Sequence, residues 1–487
     1  MDLNHRKIIS VMGVLLLVLG LLLLVPAAVG IVYKEDTSSL AFVKTAFVCF
    51  VIGTVLTVTI KPKKDDLKIR DGLLVASLAW FTLSLAGCIP FLIDGCIPTF
   101  ADAFFESCSG FSTTGSTILK DVTVLPMCML FWRSFSHWIG GMGILVLTVA
   151  ILPALGNAGQ TIVRYESPGP VLTKIAPKAK DTSRLLYFIY GSLTVLETIF
   201  LKLGGMNLFD AVTHTFATVG TGGFSTYNES ITAFSSPYIE TVITIFMILA
   251  GINFSLYFLL ITGRIHDVLV DSELKLYLLV IFITTILITM GLYISGTYSS
   301  LVTAFRYSAF QVASLITTTG FATADYELWP SVCKALLLLL FVIGGSSSST
   351  SGGIKVIRVF VLLKLIKRAI AVRLHPNALY SIKVNKETVP KTIIDNICSF
   401  AFLYFITLFC VAFLVAFDGN SFMTNFSAAA TCLGNIGPGF DSIGPSLNFS
   451  QFSPAVKIIL SVTMIAGRLE LYSLFLLFTP GFWNPKH

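Results

Sequence analysis

The sequence predicts an all-α polytopic membrane protein in which four pseudo-equivalent repeats surround one pore, preceded by two extra transmembrane helices. Its composition is 55% hydrophobic and only 12% charged over 487 residues, whereas a soluble domain carries about 25% charged residues. A glycine-centred motif recurs four times at intervals of about a hundred residues. Each repeat is predicted to contain an outward helix (M1), a re-entrant loop (P-loop) and a returning helix (M2).

The first two apolar runs, 8–33 and 40–60, are long enough to span a bilayer and form an N-terminal extension of residues 1–61. The basic residues Arg6 and Lys7 precede the first run, as in a signal peptide. The run is long and a second span follows directly, so we expect the first helix to be retained.

The four M1–P-loop–M2 repeats follow this extension. Their predicted bounds are 62–165, 166–268, 269–375 and 376–487. The returning helices of the second and fourth repeats are predicted as single spans over 236–262 and 454–479. In the third repeat, the return through 332–370 is predicted to be interrupted.

Charged residues give the predicted orientation. Basic clusters fall in loops on one side, namely Lys61, Lys63, Lys64, Arg164, Lys174, Lys178, Arg264, Lys367, Arg368 and Lys486. The positive-inside rule makes these loops, and both termini, cytoplasmic. The glycine motifs fall on the other side, so all four repeats have the same orientation. Inverted repeats, common in secondary transporters, would place the motifs on opposite faces.

The four motifs are predicted to form a cation filter. The assigned K⁺-binding residues are Thr113, Thr114, Gly115, Gly220, Thr221, Gly222, Thr318, Thr319, Gly320, Asn435, Ile436 and Gly437. The segment before each motif is too short to span the bilayer. A half-helix ending inside the membrane places partial negative charge there, and the following carbonyls can replace a cation's hydration shell. A single Thr-Gly would more simply be a loop turn, but four equivalent copies favour a filter.

The predicted filter is not four-fold identical. Ser116, Gly223, Phe321 and Pro438 follow the four central glycines, whereas a potassium channel's TVGYG loop has a second glycine two residues after the first. Only repeat 4 keeps that second glycine, as Gly439. We therefore expect K⁺ to be preferred, but less strictly than in a tetrameric channel.

Small residues interrupt the returning helix of the third repeat. The run predicted to act as a gate is Gly345, Ser346, Ser347, Ser348, Ser349, Thr350, Ser351, Gly352 and Gly353. Gly and Ser are poor helix-interior residues, and coil at membrane depth must line protein or a cavity. The alternative is a helix-packing patch of small residues, but the length of the run favours a loop across the pore.

Two charged residues lie within predicted spans. A charged side chain such as Arg468 costs much free energy inside a membrane, which indicates a function. Arg468 is predicted to face the pore, where its charge would form a barrier to cations. The alternative is an ion pair with another helix, and Glu470 is poorly placed for it because residues two apart do not share a helical face. Glu197 is either a coupling carboxylate or, as we favour, a locally neutralised buried group.

Other function classes lack support in the sequence. Nine cysteines contain no CxxC pair, and six histidines form no HExxH motif, so neither a metal enzyme nor a redox enzyme is indicated. No GxGxxG or phosphate-binding loop indicates an organic cofactor on this chain. The net charge of +7 lies in short loops between spans, which gives no reason to expect nucleic-acid binding.

These motifs together resemble the Trk/Ktr/HKT superfamily of potassium transporters. The matching stretches include Asp102–Ser107, Thr113–Gly115, Trp138–Gly143, Pro168–Pro170, Gly222–Thr226, Lys355–Arg358, His375–Ala378, Gly434–Gly439 and Gly467–Glu470. The resemblance implies K⁺ uptake across a bacterial inner membrane, an intramembrane gating loop and a pore-facing Arg468. It also implies a homodimer that binds a cytoplasmic, TrkA-like nucleotide-binding regulatory subunit. The Ser-rich centre of the loop departs from the Ala, Gly and Cys common in the family.

One alternative from another class stays open at this point. The same fold could act as an H⁺- or Na⁺-coupled secondary cation symporter. A cluster of carboxylates at the membrane midplane would favour coupling, and only Glu197 stands out there.

Overall fold

The computed structural model describes residues 3–59, 69–155, 179–377 and 380–483. Six described helices are long and apolar enough to cross a membrane, and two bent helix pairs bring the number to eight. This confirms the predicted all-α membrane class. Several predicted features lie outside the described residues: the basic loops around Lys61–Lys68 and Arg164–Lys178, the motif Pro168–Pro170, Ala378 and the C-terminal Lys486.

The N-terminal extension is a helical hairpin of α1 (His5–Val32) and α2 (Asp36–Thr59). The two helices approach closely at Gly13, where an added Cβ would lie only 2.9 Å from the carbonyl oxygen of Gly53. In the turn between them, the Glu35 carboxylate accepts hydrogen bonds from the amides of Met127 (2.7 Å) and Cys128 (3.0 Å). Glu35 thereby caps the start of the first M2 helix and joins the extension to repeat 1.

Each repeat supplies an M1 helix and a short pore helix. The M1 helices are α3 (Ile69–Asp94), α6 (Ala179–Leu203), α11 (Ser272–Ile294) and α15 (Lys391–Val415). The pore helices are α4 (Phe100–Phe111), α7 (Leu208–Val219), α12 (Leu301–Ile316) and α16 (Phe422–Gly434). The pore helices are 12 to 16 residues long, which is too short to span the bilayer.

The M2 helices differ more than the sequence predicted. Repeat 1 has one long helix, α5 (Met127–Leu155), but repeat 2 has α8 (Pro237–Ala250) and α9 (Phe254–Ile261), bent by 92°. The predicted span over 236–262 is therefore a bent helix pair rather than one straight helix. The break holds Asn253, whose side chain caps α9 by accepting from the amide of Ser255 at 2.9 Å.

The predicted span over 454–479 is likewise a bent helix pair. Helix α17 (Pro454–Arg468) is followed after a break by α18 (Tyr472–Phe475) and a 3₁₀ turn, at an angle of 114°. Glu470 and Leu471 have positive φ angles of 55° and 62°. Residues in this left-handed region cannot continue a right-handed helix, so the chain turns here.

The predicted interruption of the third M2 helix is confirmed. Helix α13 (Ser331–Leu340) ends before the small-residue run, and α14 (Val356–Leu374) begins after it. The base of the loop is closed by backbone hydrogen bonds from Gly344 N to Ile354 O (2.9 Å) and from Ile354 N to Val342 O (3.1 Å). The two ends of the loop therefore lie side by side.

A small apolar cluster follows α14. It packs a β-hairpin, β1 (Lys383–Val384) and β2 (Glu387–Thr388), against α14 and α15. The hairpin leaves Lys383 and Lys386 exposed, as are Lys367 and Arg368 on α14. The remaining short helices are α10 (Ile265–Val270) and α19 (Pro480–Trp483).

Candidate selectivity filter and gate

The four pore helices end in the same way. In each, the amide of a residue two or three positions beyond the end of the helix donates to a carbonyl five residues earlier. The pairs are Thr114–Ser109 (2.9 Å), Gly222–Ala217 (2.8 Å), Thr319–Ser314 (2.8 Å) and Ile436–Thr431 (3.0 Å). This pattern satisfies carbonyls that a helix terminus leaves unpaired, and it fixes the register of the four repeats.

The backbone after each pore helix repeats two left-handed residues. The first are Thr113, Thr221, Thr318 and Asn435, with φ between 54° and 56°. The second, two residues later, are Gly115, Gly223, Gly320 and Gly437, with φ between 77° and 111°. Three of the first set are threonines held in a region that costs non-glycine residues energy, so the surrounding structure must stabilise this shape.

This register corrects the prediction for repeat 2 by one residue. Gly223, and not Gly222, is equivalent to Gly115, and Gly220 lies at the helix end with an ordinary φ of −72°. The sequence Thr-Gly-Gly offered two candidate glycines, and only the backbone conformation distinguishes them. Gly222 is glycine for another reason: a Cβ there would lie 2.2 Å from the His137 ring.

The four loops form a closed ring. A Cβ on the central glycine of each repeat would meet the carbonyl oxygen of the residue before the central glycine in the next repeat. The contacts are Gly115 to Gly222 O (2.0 Å), Gly223 to Thr319 O (2.0 Å), Gly320 to Ile436 O (2.1 Å) and Gly437 to Thr114 O (2.9 Å). Only glycine permits such close approach at these φ angles, and the chain order 1-2-3-4-1 shows four repeats around one axis.

The joint between repeats 4 and 1 carries extra side-chain bonds. The Asn435 amide Nδ2 donates to Thr114 Oγ1 at 3.0 Å and to Met464 O at 2.9 Å. The Ser116 hydroxyl donates to Gly437 O at 2.7 Å. Asn435 and Ser116, which differ from the residues at the same positions of the other repeats, therefore help to close the ring between repeats 4 and 1.

Behind the repeat 1 loop lies a buried ion pair. Arg133 Nε is 2.8 Å from Glu106 Oε1, and both side chains are almost fully buried. Glu106 also accepts from the Thr117 hydroxyl (2.9 Å) and the Ile118 amide (3.1 Å). The Arg133 guanidinium donates to Ser225 O at 3.2 Å and lies 4.1 Å from the centre of the Phe224 ring. This pair therefore braces the loops of repeats 1 and 2 together.

His137 makes a second connection between the same two loops. One ring nitrogen lies 2.8 Å from Gly110 O, and the other accepts from the Phe224 amide at 3.3 Å. An acceptor role for Nε2 places the ring proton on Nδ1, where it donates to Gly110 O.

At the outer rim, repeats 3 and 4 are joined. Tyr326 donates its hydroxyl to Gly439 O at 2.7 Å, and the Asp441 amide donates to Glu327 Oε1 at 2.7 Å. Hydrogen bonds from Ser421 and Thr424 lower the pKa of the exposed Asp441 carboxyl because they favour its ionised form.

The interrupted M2 loop of repeat 3 lies directly against the filter. Its Gly352 amide donates to Thr318 Oγ1 at 2.7 Å. The Thr350 hydroxyl contacts Val219 O (3.1 Å) and Ala250 O (3.3 Å), at the ends of the pore helix and first M2 segment of repeat 2. A Cβ on Gly352 would lie 2.4 Å from Gly434 O in repeat 4. The loop therefore contacts repeats 2, 3 and 4 beside the innermost filter residues.

Arg468 holds this loop from repeat 4. Its Nη1 donates to Thr350 O at 2.6 Å and its Nη2 donates to Gly140 O at 3.2 Å. The side chain is buried, at the last residue of α17. Glu470 pairs with Arg358 instead of Arg468. The Arg468 guanidinium thus joins the Gly345–Gly353 loop to the M2 helix of repeat 1.

Glu197 is fully buried on α6. Within the described part of the chain, neither of its carboxylate oxygens has a hydrogen-bond partner. Its role as a coupling carboxylate or as a locally neutralised buried group stays a prediction.

Sequence reasoning missed the residues that brace the loops: Arg133, Glu106 and His137. Arg133 lies well inside the apolar stretch that became α5, and a charge in such a place is a signal for function. Its partner could not be identified, because Glu106 belongs to a different helix.

Comparisons with known proteins agree with this geometry. A family model described as "TrkH: Cation transport protein" matches residues 38–484. The Trk system potassium uptake protein TrkH of Escherichia coli K12 is 38% identical, with 99% of this chain and 100% of that protein covered. The Trk system potassium uptake protein TrkI of Halomonas elongata is 31% identical, covering 98% and 96%. The crystal structure of the potassium transporter TrkH from Vibrio parahaemolyticus matches with a TM-score of 0.90 and 35% identity, over 99% of this chain and 100% of that one. The chain therefore belongs to the TrkH family of cation transport proteins.

Proposed function

We propose that this protein mediates K⁺ uptake across the bacterial inner membrane, through the ring formed by its four filter loops. The observation that carries the proposal is the closed sequence of glycine-to-carbonyl contacts, because it brings equivalent backbone oxygens from all four repeats together. The relatives named above are potassium uptake proteins and a potassium transporter.

The ring supplies the chemistry that a monovalent cation needs. Carbonyl oxygens replace the hydration shell of the ion, and the C-terminal ends of the pore helices add partial negative charge. The filter residues in this proposal are Thr113–Gly115, Thr221–Gly223, Thr318–Gly320 and Asn435–Gly437. Ser116 already donates to Gly437 O, so one carbonyl of the ring has less capacity for an ion. This asymmetry supports a K⁺ preference weaker than that of a four-fold symmetric channel.

The loop Gly345–Gly353 is proposed to be the gate. It lies against the filter end formed by Thr318 and Gly434, where an inward-moving ion leaves the ring. Arg468 contributes in two ways. Its hydrogen bond to Thr350 O holds the loop, and its positive charge opposes a cation beside it.

Orientation and partners complete the proposal. We place both termini and the exposed Lys367 and Arg368 on the cytoplasmic side, where basic residues concentrate in membrane proteins. The basic end of α14 and its hairpin then form a docking surface for a nucleotide-binding regulatory subunit. The alternative role of these residues is to anchor at anionic lipid headgroups. We further propose that the protein works as a homodimer and that the repeats follow the predicted bounds.

Cation flux into proteoliposomes tests the proposal. The purified chain is compared with Gly320→Ser and with Gly419→Ser, under K⁺, Na⁺ or choline gradients. Both glycines have positive φ (84° and 77°), but only at Gly320 would a Cβ meet a backbone oxygen, at 2.1 Å. We expect passive K⁺-selective flux that Gly320→Ser alone abolishes or makes non-selective.

Two outcomes would change this conclusion. Flux that requires an imposed H⁺ or Na⁺ gradient would favour the coupled symporter. If Gly320→Ser and Gly419→Ser had equal K⁺ selectivity, the ring of filter loops would not be the selectivity filter. If the chain alone gives no cation flux, the regulatory subunit is added and the comparison is repeated.

A further inference from the structure

We propose that Glu273 is a positioning residue that holds the gate loop closed. The inference rests on the proposed function, because it assumes that the Gly345–Gly353 loop obstructs cation flow. It adds a second anchor, on repeat 3, to the one that Arg468 supplies from repeat 4.

Glu273 grips the first half of the loop with both carboxylate oxygens. It lies in the first turn of α11 and is 5% exposed. Its Oε1 accepts from the Ser347 amide at 2.6 Å, and its Oε2 accepts from the Ser347 hydroxyl at 2.7 Å. Hydrogen bonds to a charged group are stronger than those between neutral groups, so this is the strongest side-chain hold on the first half of the loop.

The break in the M2 helix of repeat 2 contacts the loop on the side opposite to Glu273. The Ser346 amide donates to Gly251 O at 2.9 Å, and the Phe254 amide donates to Ser348 O at 3.1 Å. The side-chain Nδ2 of Asn253 donates to Ser347 Oγ at 3.2 Å. The bend between α8 and α9 therefore leaves free backbone groups that pair with the loop, and Glu273 closes the loop against them.

The charge of the carboxylate strengthens both contacts with Ser347. The Ser347 amide N–H and hydroxyl O–H both donate to Glu273, and hydrogen bonds to a charged acceptor are stronger than those to a neutral one. A glutamine has the same shape but no charge, and its terminal NH₂ group only donates, so Ser347 Oγ must accept from it instead. Glu273→Gln therefore replaces two charge-assisted hydrogen bonds by neutral ones and weakens the hold without removing volume.

The experiment measures K⁺ flux into proteoliposomes for Glu273→Gln, with Glu240→Gln as the matched control. Glu240 is also a buried glutamate, but it lies in the first turn of α8 and pairs with Arg306 at 3.0 Å, away from the gate loop. Replacing charge-assisted hydrogen bonds by neutral ones corresponds to an increase in the open population of roughly tenfold. We expect such a rise for Glu273→Gln, an unchanged K⁺ over Na⁺ ratio and an unchanged flux for Glu240→Gln.

A double-mutant cycle with Ser347→Ala separates positioning from a general loss of structure. If Glu273 acts through Ser347, the two changes together raise flux by less than the product of their separate effects. Independent effects, or a rise that comes with lost K⁺ selectivity, would overturn the proposal.

The variant Arg468→Ala distinguishes a failure of this inference from a failure of the proposed function. Higher flux for Arg468→Ala with unchanged flux for Glu273→Gln would reject Glu273 as an anchor and leave the gate in place. No cation flux for any variant, with the regulatory subunit present, would reject the conducting function itself.

Discussion

The backbone amide of Gly352 donates a hydrogen bond to the hydroxyl of Thr318 at 2.7 Å. Gly352 belongs to the gate loop and Thr318 is the first left-handed residue of the repeat 3 filter loop. The proposed gate and the proposed filter are thus in direct contact, so a movement of the loop would free the hydroxyl oxygen of Thr318.

Replacing Thr318 by valine should release the gate loop locally. Valine keeps the branched shape but removes the acceptor, and one buried hydrogen bond contributes about 0.5–1.5 kcal/mol. We expect the Gly352 amide to exchange with deuterium roughly three- to tenfold faster. Exchange followed by mass spectrometry on the peptide containing Gly352 provides the measurement. Thr318→Ser, which keeps the hydroxyl, is the control, and equal exchange in the two variants would contradict the prediction.

Removing Arg468 should increase basal K⁺ flux. Arg468→Ala deletes the donors to Thr350 O and Gly140 O and also removes a positive charge from beside the loop. Arg468→Lys keeps the charge but has no planar fork for two carbonyls, so it should give an intermediate flux. Lys334→Ala, at a half-exposed ion pair with Glu327, should behave like the unchanged protein. Flux that falls in Arg468→Ala would count against the barrier role.

The corrected register of repeat 2 makes a separable prediction. Gly222 is restricted by the His137 ring at 2.2 Å, whereas Gly223 is restricted by Thr319 O at 2.0 Å. Adding Gly222→Ala to His137→Ala should therefore cause little further loss of K⁺ selectivity, because the clashing ring is gone. Adding Gly223→Ala should abolish selectivity in either background. The K⁺ over Na⁺ flux ratio of the four variants decides between the registers, and the reverse result would restore Gly222 as the central glycine.

The buried pair of Arg133 and Glu106 should be costly to break. Glu106→Ala leaves the guanidinium buried without its carboxylate, which destabilises proteins by about 3–5 kcal/mol. Unfolding of the detergent-solubilised protein measures this loss. The double variant Glu106→Ala with Arg133→Met should be more stable than Glu106→Ala alone, since it removes the unpaired charge. A double variant as unstable as the single one would show that the pair is not the cause.

Much of the architecture was predictable from sequence because it depends on features that local sequence encodes. Apolar length gave the M1 helices, and the run of small residues gave the break between α13 and α14. The breaks near Gly251 and Glu470 were not predictable in the same way. The polar residues at each break are few and stand between long apolar runs, and each turn depends on contacts with other helices, such as Tyr277 beside Gly251.

The site was predictable only where one repeat could be compared with another. Threonine and glycine marked three filter loops, but the adjacent glycines at 222 and 223 left the second ambiguous until φ angles distinguished them. Residues that act between distant elements, such as Glu273 on Ser347 within repeat 3 or Arg133 on Ser225 between repeats 1 and 2, carry no pattern within the sequence. Their partners are brought together by tertiary packing alone.

The closed ring of filter loops has a consequence for biogenesis. Three of its contacts join repeats that follow one another in the chain, but the fourth joins Gly437 in the last repeat to Thr114 in the first. A nascent chain therefore cannot complete the ring until its final repeat has entered the membrane. Fragments that end before repeat 4 would lack the closed ring.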